Sequence, residues 1–588
     1  MPVSPWGILA GLGAFALTVL ISPEVASRTF TPKFLVTLLF AGAGLVPFLL
    51  ALRDARAKQR LAMYGAAGFL LIGLAAALSS EAPNIGLFGL YGWGTGWLMW
   101  LGCVGAFAVG SRLQGSDGRW LFGGLLAGAL ANAAMALYQT LAVPTNSTFG
   151  PYQGNQADGF LGNPIFLESL LLGVIALVSV RAAKSKVRSL AFLAGSASLG
   201  LMAVALEFSN ERAAVGLLAI MFVILVLVYR ATGLLVAMPT ALGYLIGYLG
   251  AGRSLGARIA AGTQSVGFHQ RADLWKLALT AIVHRPLLGF GPGELEAAIN
   301  PRMSLSFARL LQSGKVFTDS HDIVIEVAVT TGVLGLVCFL LWVASAILGA
   351  RNYFVYFAIM CFVVELVEPL NIAITPLAFL ALGAGTAAIS DARHQSPPLS
   401  IPLRGVAAVL CAAAVLLGGE MVLGDAALSH TPPIQYSLAS SKQADALLFY
   451  WPQSSIAMTD YYRYEAAVIH LPALRHHELE LALRYSRETA GRLPMDPLTW
   501  VDLGDSELAL GRRAAAASEY RRALQADHWS AAAFDGLAQV AMEEHLFHQA
   551  ASWYQKELQV LPAGPERMAA ERHLRDARRG VIPPQGAF

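Results

Sequence analysis

Thirteen apolar runs, each near the length a helix needs to cross a bilayer, fill the first 425 residues of this chain. A span requires about 20 predominantly apolar residues, because the hydrocarbon core is about 30 Å thick and a helix rises 1.5 Å per residue. The runs centre on 5–22, 34–52, 61–79, 96–111, 120–142, 161–180, 189–206, 213–229, 232–250, 321–348, 353–367, 372–389 and 405–423. In lipid every backbone N–H and C=O must be paired within the protein, so such runs are read as helices. Charged residues make up 13% of the chain, about half the share found in a soluble protein. They are sparse up to about residue 425 and dense beyond it. The expected fold class is therefore all-α: a polytopic membrane domain over 1–425, followed by a soluble α-helical domain over 430–588.

Met1–Trp6 lacks the basic stretch of a cleaved signal, so the first run is read as a helix that stays. Cys103, Cys338, Cys361 and Cys411 all fall inside apolar runs without metal-ligand spacing, and are read as small buried hydrophobes. A net charge of +3 is too small to argue for nucleic acid.

The distribution of Lys and Arg sets the expected orientation. With the N-terminus in the cytoplasm, the short cytoplasmic loops hold fourteen: four in Arg53–Arg60, two in Arg112–Arg119, four in Arg181–Arg188, then Arg230, Arg351, Arg393 and Arg404. The short outer loops hold three: Arg28, Lys33 and Arg212. On this arrangement the 251–320 segment and the C-terminal domain both face outside. In a bacterium that means the periplasmic side of the inner membrane.

Beyond residue 430 the chain reads as amphipathic helices with a period of 34: Trp500 aligns with Phe534, Leu503 with Leu537, Ala517 with Ala551, Tyr520 with Tyr554 and Leu524 with Leu558. This pattern resembles tetratricopeptide repeats, whose helix pairs each bury an apolar face on the next. A degenerate unit is expected at about 455–490, and a capping helix after Pro565. Such an array implies docking of a protein partner or acceptor; the alternative is a stabilising appendage.

The 251–320 loop carries eight cations (Arg253, Arg258, Arg271, Lys276, Arg285, Arg302, Arg309, Lys315) against Asp273, Glu294, Glu296 and Asp319. A positive surface on the outer side runs against the positive-inside trend. An anionic ligand at the membrane face accounts for it, and so does attraction to lipid headgroups. Gln270–Arg285 has helical spacing in Arg271, Trp275, Ala278, Leu279 and Ile282, and Pro286 stops it. The glycine-rich Leu288–Gly293 then reads as a tight turn. In Thr318–Asp322, Asp319 or Ser320 is expected to cap the next helix and put His321 in its first turn, where the helix dipole favours a neutral imidazole. Arg212 closes Ser209-Asn210-Glu211-Arg212 between two spans.

Taken together, Gly162-Asn163-Pro164, Ser209–Arg212, Arg271-x-x-x-Trp275 followed by Pro286–Gly291, and His321 with Glu326 and Gly332–Leu336 resemble the motifs of the O-antigen ligase and polymerase (Wzy-C) superfamily. The resemblance covers roughly 160–345. It departs at Asp322, where the family usually has Asn, and at Asn210-Glu211, which separates Ser209 from Arg212. The resemblance implies a GT-C-like membrane body and transfer of a glycan from undecaprenyl pyrophosphate to an acceptor hydroxyl on a lipid A core, a glycan or a protein. It implies no cofactor and no metal. On this reading Arg212 and Arg271 bind the diphosphate, His321 is the general base, and Trp275, Asp322 and Asn163 line the substrate site. A ligase, a polymerase and a protein O-oligosaccharyltransferase all fit. Other readings are a transporter or lipid flippase, a peptidoglycan-type polymerase relying on Asp273, and a scaffold working through its repeats.

Overall fold

The computed structural model describes residues 3–54, 57–142, 156–211, 213–250, 266–311, 317–387, 399–429, 449–452, 454–469 and 471–582. Arg212, Arg253, Arg258 and Lys315 lie outside the described residues. All described regular structure is helical, apart from an isolated bridge at Gln156.

The membrane body is formed by α1 (Pro5–Val19), α2 (Thr31–Asp54), α3 (Ala57–Leu78), the short α4 (Pro83–Phe88), α5 (Trp97–Ser111), α6 (Asp117–Leu141), α7 (Pro164–Ala183), α8 (Leu190–Ser209) and α9 (Ala213–Gly250). After the loop helices α10 (Val266–His284), α11 (Leu295–Ile299) and α12 (Leu305–Leu311) come α13 (Ile323–Leu348), α14 (Phe354–Val364), α15 (Ile374–Thr386) and α16 (Ile401–Ser429). Eight of these are long and apolar enough to cross a membrane. The four shorter apolar ones are α1, α5, α14 and α15. The chain is a multi-pass membrane protein, and these twelve helices correspond to the thirteen expected runs, because α9 holds two.

Local sequence sets several helix starts. Ser4, Asn163 and Ser189 each accept a backbone N–H as N-cap, and Pro5 and Pro164 follow two of them, where a missing N–H costs nothing. Glycines set the helix contacts. A Cβ on Gly44 of α2 would lie 2.2 Å from the Gly105 carbonyl of α5, and one on Gly383 of α15 would lie 2.0 Å from Phe107. Small residues let helices approach in lipid, where packing replaces the hydrophobic drive.

Two helices are broken. In α9, Arg230 takes φ 53°, ψ −124°, and the backbone at Gly233 lies against the Leu225 carbonyl. In a straight helix, residues eight apart would be about 12 Å apart. The chain thus doubles back between the two expected runs. In α13, Gly332 takes φ 68°, ψ −176°. The freed backbone is paired by the loop: Phe290 N–H donates to Val329 O (3.0 Å), Gly291 N–H to Thr330 O (2.9 Å), and Val333 N–H to Pro286 O (2.8 Å). The glycine-rich stretch, read from sequence as a turn alone, is a splint for a broken helix.

The tail comprises α17 (Ser454–Val468), α18 (Pro472–Arg492), α19 (Pro497–Ala509), α20 (Arg513–Ala526), α21 (Ala531–Glu543), α22 (Phe547–Val560) and α23 (Pro565–Arg579). The α19–α20 and α21–α22 pairs start and stop at the same interval of 34 residues. Tyr520 is fully buried between Gly504 and Gly536, whose missing side chains leave space for its ring. The tail packs on the loop: Trp529 Nε1 donates to Met303 O (3.0 Å), and Ala308 joins Phe534, Val560 and Leu561 in one apolar cluster.

Candidate active site

Helix α10 presents Arg271 and, one turn on, Trp275 to the segment that precedes α13. Arg271 Nη2 donates to Glu368 Oε2 at 3.0 Å. Trp275 Nε1 donates to the Ser320 carbonyl at 2.9 Å. Residues four apart share a helix face, so one face of α10 holds both the 317–322 loop and the segment between α14 and α15.

That loop is tied at every residue from Asp319 to Asp322. Buried Asp319 accepts the N–H of His321 on Oδ1 (2.6 Å) and of Leu370 on Oδ2 (3.2 Å). Ser320 N–H donates to Glu326 Oε2 at 2.9 Å, and Ser320 Oγ to the Asp322 carbonyl at 2.9 Å. Burial pushes the Asp319 carboxyl up to about 8, Glu326 adds to the rise, and the His321 side chain and the accepted N–H groups oppose it.

His321 itself takes φ 54°. This left-handed conformation is uncommon outside glycine, although His is among the residues that tolerate it, and strain of this kind clusters at functional sites. Its Nδ1 faces Glu368 Oε2 at 3.9 Å, an ion-pair distance rather than a hydrogen bond. The imidazole also meets the Phe317 ring edge-on, with centroids 5.8 Å apart.

The capping expectation is corrected here. The N-cap of α13 is Asp322, whose Oδ1 accepts Val324 N–H (2.8 Å) and Ile325 N–H (3.0 Å). His321 therefore precedes the helix, and its first-turn position is lost. The carboxylate at ion-pair distance from the imidazole is Glu368. Asn163 also spends its side-chain oxygen as an N-cap, accepting Ile165 N–H at 2.9 Å. No described contact brings Asn163 to Arg271 or His321.

Among the described residues, three of the loop's five cations pair with carboxylates. Besides Arg271, Lys276 pairs with Asp273 (3.0 Å) and Arg285 with Glu81 (2.6 Å). Arg302 and Arg309 turn to the carbonyls of Ala298 and Gln559.

Sequence reasoning missed a set of carboxylates. Glu168, Glu211 and Glu368 come from three separate stretches, yet each offers an oxygen within 4.8 Å of the others. Glu168 is fully buried, and neither of its oxygens has a hydrogen-bond partner. Glu211 Oε1 receives Gln156 Nε2 at 3.5 Å. Among the described residues this is the set able to hold a cation, since three oxygens at such spacing suit a hard divalent ion. One signal was available: Glu168 is the sole acid in its apolar run, and intramembrane acids are functional candidates by default.

The convergence of Arg271, Trp275, His321 and Glu211 falls inside one stretch that also matches a known family. Residues 197–340 match the O-antigen ligase family. The match spans the two expected motifs on α10 and before α13, and ends before Glu368. Glu168 and Glu368 thus reach the matched region from sequence outside it, carried there by α7 and by the α14–α15 connection. No curated protein matches the chain.

Proposed function

We propose that this protein is a membrane glycosyltransferase that moves a glycan from a polyprenyl-diphosphate carrier to an acceptor hydroxyl, at the face where α10 and the tail lie. The observation that carries this reading is the convergence of Arg271 and His321 on one buried carboxylate, Glu368. A guanidinium has five N–H donors. The bond to Glu368 therefore leaves donors for phosphate oxygens, and the Arg271 side chain keeps 30% of its exposure. Arg212, outside the described residues, is proposed as the second cation on the diphosphate, as the motif resemblance implies.

In the proposed step the acceptor oxygen attacks the anomeric carbon, and His321 takes the hydroxyl proton. The bond from that carbon to the phosphate oxygen breaks with inversion, and the diphosphate leaves with the electron pair. Arg271 stabilises the charge that gathers on it. Glu368 faces the imidazole and offsets the imidazolium as it forms. Trp275 acts through the Ser320 carbonyl, as a positioning residue for His321. The face is taken as periplasmic, in line with the distribution of Lys and Arg.

The test is transfer by purified protein from a polyprenyl-diphosphate-linked glycan. His321→Ala and Arg271→Ala are expected to abolish it while leaving expression and folding intact. Full transfer by His321→Ala removes the general-base assignment. Transfer unchanged after chelation supports the metal-free reading, whereas loss of transfer restored by a divalent ion assigns the Glu168 set to catalysis. Ligase, polymerase and oligosaccharyltransferase separate on mass spectrometry of a deletion strain: long carrier-linked chains, single repeat units, or glycan lost from one protein.

A transporter reading draws on the break in α13 at Gly332, since interrupted helices mark many transport sites. Here Pro286–Gly291 fills the break by backbone pairing. The enzymatic reading is favoured.

A further inference from the structure

A second site lies away from this chemistry, where the tail meets the loop. A cavity of about 290 Å³ is bounded by Asn300 and α12 on one side and by α19, α21, α22 and the start of α23 on the other. The volume is near the lower end for small-ligand pockets, which begin at about 300 Å³.

Four carboxylates line it: Asp527, Asp535, Glu557 and Glu566. None of the described residues lining it is basic. Of the guanidiniums outside the lining, Arg309 donates to the Gln559 carbonyl and Arg567 to the carbonyls of Leu558 and Leu561. Glu557 is 7% exposed, and its Oε2 has no partner. Independently of the acids, Asn300 is 1% exposed and both of its side-chain polar atoms lack a partner. A buried amide left unpaired is rare and costly, so each such case requires an explanation.

We propose that this cavity receives a lysine or arginine side chain of a polypeptide partner. The carboxylates supply the charge complement, and Leu311, Leu498 and Val560 supply apolar walls for the methylene stem. Asn300 has the two functions a peptide requires, an oxygen to accept from the cationic head and an N–H₂ to donate to a backbone carbonyl. A metal ion fits less well. Among the described residues only the Glu168 set brings three acidic ligand atoms within 4.8 Å, so the acids here are not gathered around one small cation. Burial and the neighbouring acids hold the Glu557 carboxyl up at about 8 and Asp535 at about 6, as expected of carboxylates that lack a counter-ion. The site is independent of the proposed glycosyl transfer.

The experiment titrates full-length protein in detergent, at low salt and pH 8.5, with fluorescein-labelled Gly-Lys-Gly. The same peptide carrying norleucine in place of lysine is the control, and unlabelled glucosamine and cellobiose are competitors. The lysine peptide is expected to bind at least about tenfold more tightly than the norleucine one, because charge-assisted hydrogen bonds are the strong ones. Glu557→Gln and Asn300→Ala are each expected to weaken it by about tenfold. Glu557→Gln is close to isosteric, and hydrogen-exchange protection of α22 no lower than in wild type verifies its fold. Equal binding of the two peptides overturns the proposal, as does lysine-peptide binding indifferent to both variants. Competition by cellobiose as effective as that by unlabelled lysine peptide assigns the cavity to a neutral glycan and overturns it too.

Discussion

Replacing Glu368 by Gln keeps the shape of the side chain and removes its charge, which separates support of Arg271 from support of His321. The carboxylate is 5% exposed, against 30% for Arg271 and 20% for His321. Removing one partner of a fully buried pair costs about 3–5 kcal/mol. Water reaches Arg271, so the expected loss of stability is smaller, about 1–2 kcal/mol. The effect on rate comes from His321. At 3.9 Å two unit charges attract by about 4 kcal/mol at an effective dielectric of 20. Discounting by half for the exposed part of the imidazole leaves about 2 kcal/mol, felt only when the ring is protonated in the transition state. Turnover is then expected to fall by about thirtyfold. The KM for the donor should not rise, because the freed Arg271 still meets the diphosphate. Steady-state transfer assays on wild type and Glu368→Gln measure this. If Glu368 acts through the imidazole, its substitution lowers turnover and leaves the donor KM in place. A raised donor KM with turnover unchanged would refute the reasoning, as would a variant within twofold of wild type.

Gly332→Ala forces a side chain into a conformation essentially reserved for glycine, at about 1–3 kcal/mol, and its Cβ would lie 2.2 Å from the Leu287 carbonyl. Thermal unfolding in detergent should drop and exchange at residues 286–291 should quicken, whereas Gly405→Ala, which meets nothing within 4 Å, should do neither. Asp322→Ala should lose about 1 kcal/mol as a missing N-cap. Asp322→Asn should restore both stability and transfer; stability restored without transfer would return Asp322 to the chemistry. Glu557 gives a pH dependence. Its folded carboxyl sits at about 8 against an ordinary 4.5, so the folded state holds a proton that the unfolded chain releases. Stability of α21–α22 should therefore fall as pH rises from about 4.5 to about 8, by an order of a few kcal/mol, and level off above. Glu557→Gln should match wild type at pH 4.5 and exceed it at pH 8.5, read by hydrogen exchange on the full-length protein.

The positions of the apolar runs, the reversal at Arg230, most of the helix from Val266 to His284 and the 34-residue interval of the tail were all legible in the chain. They follow from short-range rules: bilayer thickness, helix periodicity, proline and the burial of a repeated face. Arg271 and His321 were legible as partners in one site through the motif resemblance; the form of their convergence was not. It depends on Glu368, which lies in a connection between two short apolar helices whose sequence carries no motif. The capping of α13 turned on a choice among three adjacent residues, Asp319, Ser320 and Asp322. All three are competent caps; the contacts to Leu370 and Glu326, made across the fold, left Asp322 as the one that caps.

The same division holds for the rest of the molecule. Sequence alone determined that this is a many-helix membrane protein with a helical-repeat tail, because those properties are written in patterns a few turns long. Tertiary structure decided that Gly332 breaks a span, that Glu168, Glu211 and Glu368 meet, and that Asn300 faces a cavity closed by residues some 200 to 260 positions away. The physical reason is that an unpaired carbonyl, a buried carboxylate or an orphaned amide exists only once distant segments have excluded water from it.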